Sequence, residues 1–416
     1  MKENLNAKTC LVIGASHAGV NFAFELRKEG WDGHILLFDA DPRLPYHRPP
    51  LSKDYLGSKD KLDKHVLKSA DAYSKAQIEL RLGIKVKAIN REGKCIVLSD
   101  DSQVHYDKLV LATGARPLIP PIPGIEKGPT IFPMRNAQDA IQIRDTFHQL
   151  KDKKILVIGG GYIGLETAAS LKKLGGDVTV LERDSRVLAR VTVPELSSFF
   201  QELHEKNGVD IFTNKNVIQI ERVADEYIVE CADGSRFQSE MIVLGVGIQV
   251  NSSLAAAAGL EIENGIKVDA TARTSDPDIY AIGDCTFHHN PHYDRFIRLE
   301  SVQNAVGQAK IAAASISGKE DIIYDTIPWF WSDQYHVKLQ MVGLSQGYDE
   351  MLIRKEQKED SFSIWYFKKD QLLAVDAVNN AKAYVLGTKF IKGHKVINKS
   401  ILADASIALH PKQLLV

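Results

Sequence analysis

Residues Ile155 to Glu182, reading ILVIGGGYIGLETAASLKKLGGDVTVLE, constrain this chain more than any other stretch. An apolar run suited to a buried strand leads into Gly159, Gly161 and Gly164 in G-x-G-x-x-G spacing. A helical pattern follows, and a second apolar strand closes on Glu182. Each glycine answers a separate physical need. Gly159 makes the tight turn, Gly161 lets backbone approach a pyrophosphate, and Gly164 brings the helix close to the strand. The pyrophosphate then rests on the positive end of the helix. A carboxylate at Glu182 accepts from a ribose 2′-hydroxyl and repels a 2′-phosphate, which predicts NADH rather than NADPH. Arg183 follows at once and leaves the preference short of strict.

Cys10 to Phe38 repeats the pattern, with VIGASHAG at Val12 to Gly19 set against VIGGGYIG at Val157 to Gly164. Two such units imply two dinucleotides. In the first unit Gly14 and Gly19 remain, while Ser16 replaces the middle glycine, losing backbone clearance but adding a hydroxyl near a phosphate site. The acid at the end of the second strand is Asp39 or Asp41, and either suits an adenosine ribose. His17, inside the turn, reads as a packing or hydrogen-bonding residue rather than a catalyst.

The loop that follows, LPYHRPPLSK at Leu44 to Lys53, has three prolines that stiffen it while Arg48 and Lys53 supply cations, which suits an anionic ligand. Gly57 to Leu80 reads as polar loop and helix. Ala112, Thr113 and Gly114 end a strand with residues small enough for backbone to lie against a flat cofactor, and the prolines from Pro117 to Pro123 read as a crossover between domains. A second crossover falls at Gly245 and Gly247. Gly283 and Asp284 end a further strand, where a following helix would set Asp284 against a ribityl hydroxyl or phosphate; a plain Gly-Asp turn is the simpler alternative. From Thr326 the chain turns aromatic, with Trp329, Phe330, Trp331 and Tyr335 close together and later segments alternating as antiparallel strands.

Length supports two to three domains at 416 residues. A formal net charge of -1 gives no reason to expect a nucleic-acid partner. No apolar run approaches the roughly 18 residues a membrane span needs, and no secretory-type segment follows Met1, so a cytoplasmic protein without a membrane partner is expected. Cys10, Cys95, Cys231 and Cys285 are far apart in sequence and form no metal-ligand spacing, so no metal is expected.

Six segments together resemble the FAD-dependent, NADH-linked ferredoxin reductases that serve bacterial oxygenases. They are RPPLSK from Arg48, LATGARP from Leu111, VIGGGYIGLE from Val157, TSDPDIYAIGDC from Thr274, RLESVQNA from Arg298 and PWFWSDQY from Pro328. The resemblance implies a glutathione-reductase-like α/β fold. Two Rossmann-type domains, for FAD at 1–115 and 249–325 and for NADH at 116–248, are followed by a C-terminal α+β domain at 326–416. It places Gly14, Ala18, Lys53, Val86, Arg135, Asp284 and Val302 against FAD, and Ile163, Glu166, Glu182 and Gly247 against NADH. It sets Trp331 near the isoalloxazine and the docking surface for a [2Fe-2S] ferredoxin that feeds a cytochrome P450 or Rieske oxygenase. Lys53 would stabilise reduced flavin and Glu166 would pair with it. A rubredoxin or other acceptor, or a flavoprotein whose redox state controls binding, are the alternatives. Disulfide and peroxide chemistry need a cysteine beside the flavin, and there is none between Cys10 and Cys95, with Ser52 in the comparable loop.

Overall fold

The computed structural model describes residues 8–58, 60–319 and 321–416. Continuous apolar runs give two buried parallel sheets. In the first, the strands run in the order Ile279–Ala281, Lys108–Leu111, Thr9–Ile13, His34–Asp39 and Ile78–Leu82. In the second the order is Asp210–Phe212, Asp177–Leu181, Lys154–Ile158, Met241–Leu244 and Ile131–Pro133. The central strands, covered on both faces, need no polar alternation, which is why they read so clearly, whereas the edge strands Ile78–Leu82 and Asp210–Phe212 are partly exposed.

Helix His17–Lys28 packs along helix Val302–Ile316, where Ala305, Ala309, Ala312 and Ala313 are buried and let the two backbones approach closely. Strand Ala115–Pro117 pairs antiparallel with Ile248–Val250, so the chain passes out to the second sheet and back along one two-stranded ribbon. Helix Ala137–Gln149 begins on a capping box between Asn136 and Asp139, which satisfies donors at its first turn.

The aromatic segment opens a five-stranded antiparallel sheet in the order Trp329–Gln334, Val337–Gly343, Gln371–Val378, Phe362–Lys368 and Glu350–Lys355. Register puts Phe330, Met341, Asp376 and Ile364 in one row, with Ser332 two residues along on the same face. That face meets helix Tyr162–Lys173: the Tyr162 ring lies 4.8 Å from Phe330, and its hydroxyl donates to Met341 Sδ at 2.8 Å. One apolar core runs through both, from Val157 and Leu165 to Leu339, Ile364 and Val378.

Two expectations fail locally. The stretch expected as loop and helix holds short helices at Asp54–Gly57 and Ala70–Lys75 and then the fifth parallel strand, Ile78–Leu82. No helix directly follows Gly283 and Asp284; one 3-10 turn, Gly283–Cys285, leads into strand Thr286–Asn290, and the helix begins only at Val302. The last residues, which carry no recognisable motif, form helices Lys399–Ala403 and Pro411–Leu414, anchored by buried Leu402, Leu409 and Leu414. Among the described residues, no helix is long and apolar enough to cross a membrane, and no cluster of His, Cys, Asp or Glu could hold a metal ion.

Candidate functional site

The two glycine turns are built alike. A Cβ on Gly14 would lie 2.2 Å from the Ala112 carbonyl oxygen, and one on Gly159 would lie 2.5 Å from that of Gly245. Both glycines have positive φ, +108° and +109°, where side chains are strained. Gly19 and Gly164 repeat the pattern one turn later, each with no room for a Cβ beside the carbonyl of Gly14 or Gly159. Gly161 differs, because a Cβ there would meet nothing within 4 Å. Its surroundings are open at the helix N-terminus, as a close-lying pyrophosphate requires.

The acids match as well. Asp39 accepts from the amides of Ala15 at 2.6 Å and Asp41 at 2.9 Å. Glu182 accepts from those of Gly160 at 2.6 Å and Asp184 at 2.8 Å. Asp41 is occupied elsewhere, taking bonds from Arg43 and from the Tyr46 hydroxyl at 2.9 Å. The geometry thus separates the two acids that sequence leaves equal: Asp39 is the counterpart of Glu182, and Asp41 braces a turn. Arg183 is largely exposed, with its guanidinium 3.8 Å from Asp184.

Both cradles open into one cleft of about 2170 Å³. Single-ligand pockets run to roughly 1,000 Å³, so this volume suits two dinucleotides better than one. Its walls include Gly14, Ser16, His17, Ala18, Asp39, Arg48, Lys53, Val86, Thr113, Gly114 and Arg135 from the first expected set. From the second come Gly159, Gly161, Ile163, Glu166, Glu182 and Gly247, joined by Asp284, Val302 and Trp331. Asp41 and Gly164 do not line it. No cysteine is among the lining residues, and all four are buried.

At the first cradle, Arg48 donates to Ser16 Oγ at 3.0 Å and to the Arg135 carbonyl at 3.2 Å. Ser16 stands at the helix N-cap, but its side chain makes no capping bond and instead anchors a cation. Burial lowers the Arg48 pKa, and no carboxylate pairs with it among the described residues, an arrangement that fits an anionic group on the helix end. Arg135 pairs with Asp284 at 2.8 Å. His17 is buried, which together with neighbouring His47, Arg48 and Arg135 holds its pKa down at about 4, and its Nε2 meets no partner among the described residues. It is a neutral ring with a polar atom to spare beside the cleft.

Where the cradles meet, Lys53 Nζ donates to Glu166 Oε2 at 2.8 Å. Their side chains are only 15% and 1% exposed, so solvent screens the pair little. Sequence reasoning missed what surrounds it: Ser52 donates to the same oxygen at 2.7 Å, and Ser332 donates to Oε1 at 2.6 Å. It also missed Asp376 on the cleft wall, buried and bonded to Thr192 at 3.0 Å and Tyr366 at 2.6 Å. Burial raises its pKa to about 6.

Paired cradles facing one cleft, with a buried lysine–carboxylate pair between them, define an oxidoreductase that brings two dinucleotides together. Residues 8–309 match the family described as pyridine nucleotide-disulphide oxidoreductase, and 329–413 match the family described as reductase C-terminal. The chain belongs to the pyridine nucleotide-disulphide oxidoreductase family. It is 41% identical to putidaredoxin reductase of Pseudomonas putida over 96% of this chain and 95% of that one. It is 39% identical to the ferredoxin reductase subunit of 5,5'-dehydrodivanillate O-demethylase of a Sphingobium strain, over 96% and 97%. The reductase in the crystal structure of the covalent putidaredoxin reductase–putidaredoxin complex superposes with a TM-score of 0.92, covering 98% of each chain.

Proposed function

We propose that this protein is an FAD-dependent NADH:ferredoxin reductase that supplies electrons through a [2Fe-2S] ferredoxin to a cytochrome P450 or Rieske-type oxygenase. The observation that carries the reading is the shared cleft, which has two nucleotide cradles and no thiol on its wall. A sulfur relay has nothing to act through there, so electrons leave by another route. Support comes also from the Sphingobium relative, the reductase subunit of an O-demethylase, and from the superposed reductase, which is joined to putidaredoxin. NADH supply suits the cytoplasm.

Bound FAD supplies the conversion of a two-electron hydride into single-electron transfers. The chain's own residues bind and orient. The turn from Gly14 to Ala18, with Arg48 and Arg135, holds the flavin dinucleotide's phosphates, and Asp39 accepts from its adenosine ribose. Val86, Thr113, Gly114, Asp284 and Val302 line the remainder of its bed, with His17 offering a spare nitrogen. The second turn, Gly159 to Gly164, with Ile163 and Gly247, holds NADH, and Glu182 selects it over NADPH by repelling a 2′-phosphate. Lys53 places positive charge where reduction leaves negative charge, and Glu166 fixes it. Trp331, half-buried between Trp329 and Phe330, stands at the acceptor side. The division of labour follows the ribbon: 1–115 and 249–325 hold FAD, 116–248 hold NADH, and 326–416 cover the flavin.

Steady-state assays of the yellow holoprotein with NADH, NADPH and a panel of ferredoxins and rubredoxins test this. Rapid NADH-dependent reduction of a [2Fe-2S] ferredoxin is expected. Reduction of rubredoxins alone would reassign the acceptor.

A further inference from the structure

Glu166 ties three parts of the molecule together. Ser52 and Lys53 come from the proline-stiffened loop after the first cradle, Glu166 itself lies on the helix of the second, and Ser332 comes from the C-terminal sheet. Behind Ser332 the bonds continue. Gln334 Nε2 lies 3.2 Å from Ser332 Oγ, and Gln334 Oε1 lies 2.8 Å from His204 Nε2. Glu166, Ser332, Gln334 and His204 are all buried, at 2%, 0%, 1% and 0% exposure.

The direction of this chain is fixed by chemistry. Burial holds the His204 pKa down at about 4, so the ring is neutral, and facing a carbonyl oxygen it donates from Nε2. Gln334 is thereby oriented with its amide nitrogen toward Ser332, and the Ser332 hydroxyl has its proton free for Glu166. Every donor points toward the carboxylate. Trp331 precedes Ser332 in sequence and points to the opposite face of the sheet, so the strand that carries the acceptor-side tryptophan is fastened one residue away to the carboxylate that holds Lys53.

We propose that Ser332, backed by Gln334 and His204, is a positioning residue for flavin reduction, acting through Glu166 on Lys53. The inference rests on the function proposed above. Without the Ser332 hydroxyl, Glu166 Oε1 is buried and short of a donor, a costly state. The adaptable donor within reach is the Lys53 ammonium, which has three N–H groups. It is drawn back toward Oε1 and away from the cleft, and its support of negative charge on the flavin weakens.

The test compares FAD-loaded wild type, Ser332→Ala, Ser332→Thr and Gln334→Met. The bound-flavin midpoint potential is read by dye equilibration, and anaerobic single-turnover reduction is followed over a range of NADH concentrations. Ser332→Ala is expected to slow the limiting rate about tenfold and to lower the potential by about 30 mV, a tenfold shift of a two-electron equilibrium, with half-saturation by NADH nearly unchanged. Ser332→Thr, which keeps the hydroxyl, restores both. Gln334→Met moves both the same way by less, and decides the matter if Ser332→Ala holds no FAD. Unchanged potential and limiting rate, or a loss confined to half-saturation or melting temperature, overturns the proposal. A wild type whose flavin NADH fails to reduce overturns the functional reading instead.

Discussion

Lys53 and Asp376 are opposite cases of a charge kept from water. Lys53 has a buried carboxylate 2.8 Å away, and Lys53→Met leaves Glu166 without that cation. The expected outcome is a bound flavin of lower potential, reduced by NADH roughly tenfold more slowly or worse, read by the same dye equilibration and stopped flow. Unaltered values would refute the electrostatic role. Asp376 has two hydroxyl donors, Tyr366 and Thr192, and no cation pairs with it among the described residues. Its pKa is raised from 3.8 to about 6 by burial, so the fold disfavours the ionised form. The penalty is absent below the unfolded value, grows as pH rises toward 6, and is complete above it, at about 3 kcal/mol. Asp376→Asn should therefore gain stability over the wild type between pH 4 and 7 in urea unfolding, with the two curves converging at low pH. Sequence shows the loop cations because prolines mark their loop, and Glu166 only through the resemblance carried by the VIGGGYIGLE segment. It does not show Ser332, whose carboxylate partner stands 166 residues away in the chain, or Asp376, which Thr192 meets from 184 residues away.

Elements whose two faces are both buried announce themselves, and elements held by their neighbours do not. Strand Thr9–Ile13 and strand Lys154–Ile158 are apolar for most of their length and are legible directly. Strand Ile78–Leu82, IELRL, lies at a sheet edge and alternates apolar with charged residues, a period-two signal too short at five residues to stand out from the polar stretch before it. Besides their buried leucines, the C-terminal helices are joined through a segment held by one buried guanidinium. Arg354, 1% exposed, donates to the carbonyls of Leu402 at 3.1 Å, Asp404 at 2.9 Å and Ile407 at 2.7 Å, and also pairs with Glu356. Those acceptors are backbone oxygens, for which no side-chain pattern exists. Arg354→Ala strands all three, and is expected to cost roughly 3 kcal/mol, with faster hydrogen exchange across 399–414 than in the parallel sheets. Uniform protection across the variant would refute the clamp.

At the scale of the whole molecule, repetition makes the architecture readable: two matching strand–turn–helix units demand two ligands, and the ribbon of Ala115–Pro117 with Ile248–Val250 lets one unit sit inside the other's sequence. The meeting of the two in one cleft is less legible, because it depends on the C-terminal sheet sharing a core with the second unit and on Glu166 tying all parts together. The central claim is that nothing redox-active stands between flavin and nicotinamide. Anaerobic titration of the holoprotein with NADH, without an acceptor, tests it most directly. Full bleaching of the flavin at one NADH per FAD is predicted, with the same end point after thiol alkylation. Uptake of two NADH per FAD, falling to one when the cysteines are first reduced and then alkylated, would reveal a disulfide in the path and contradict the account.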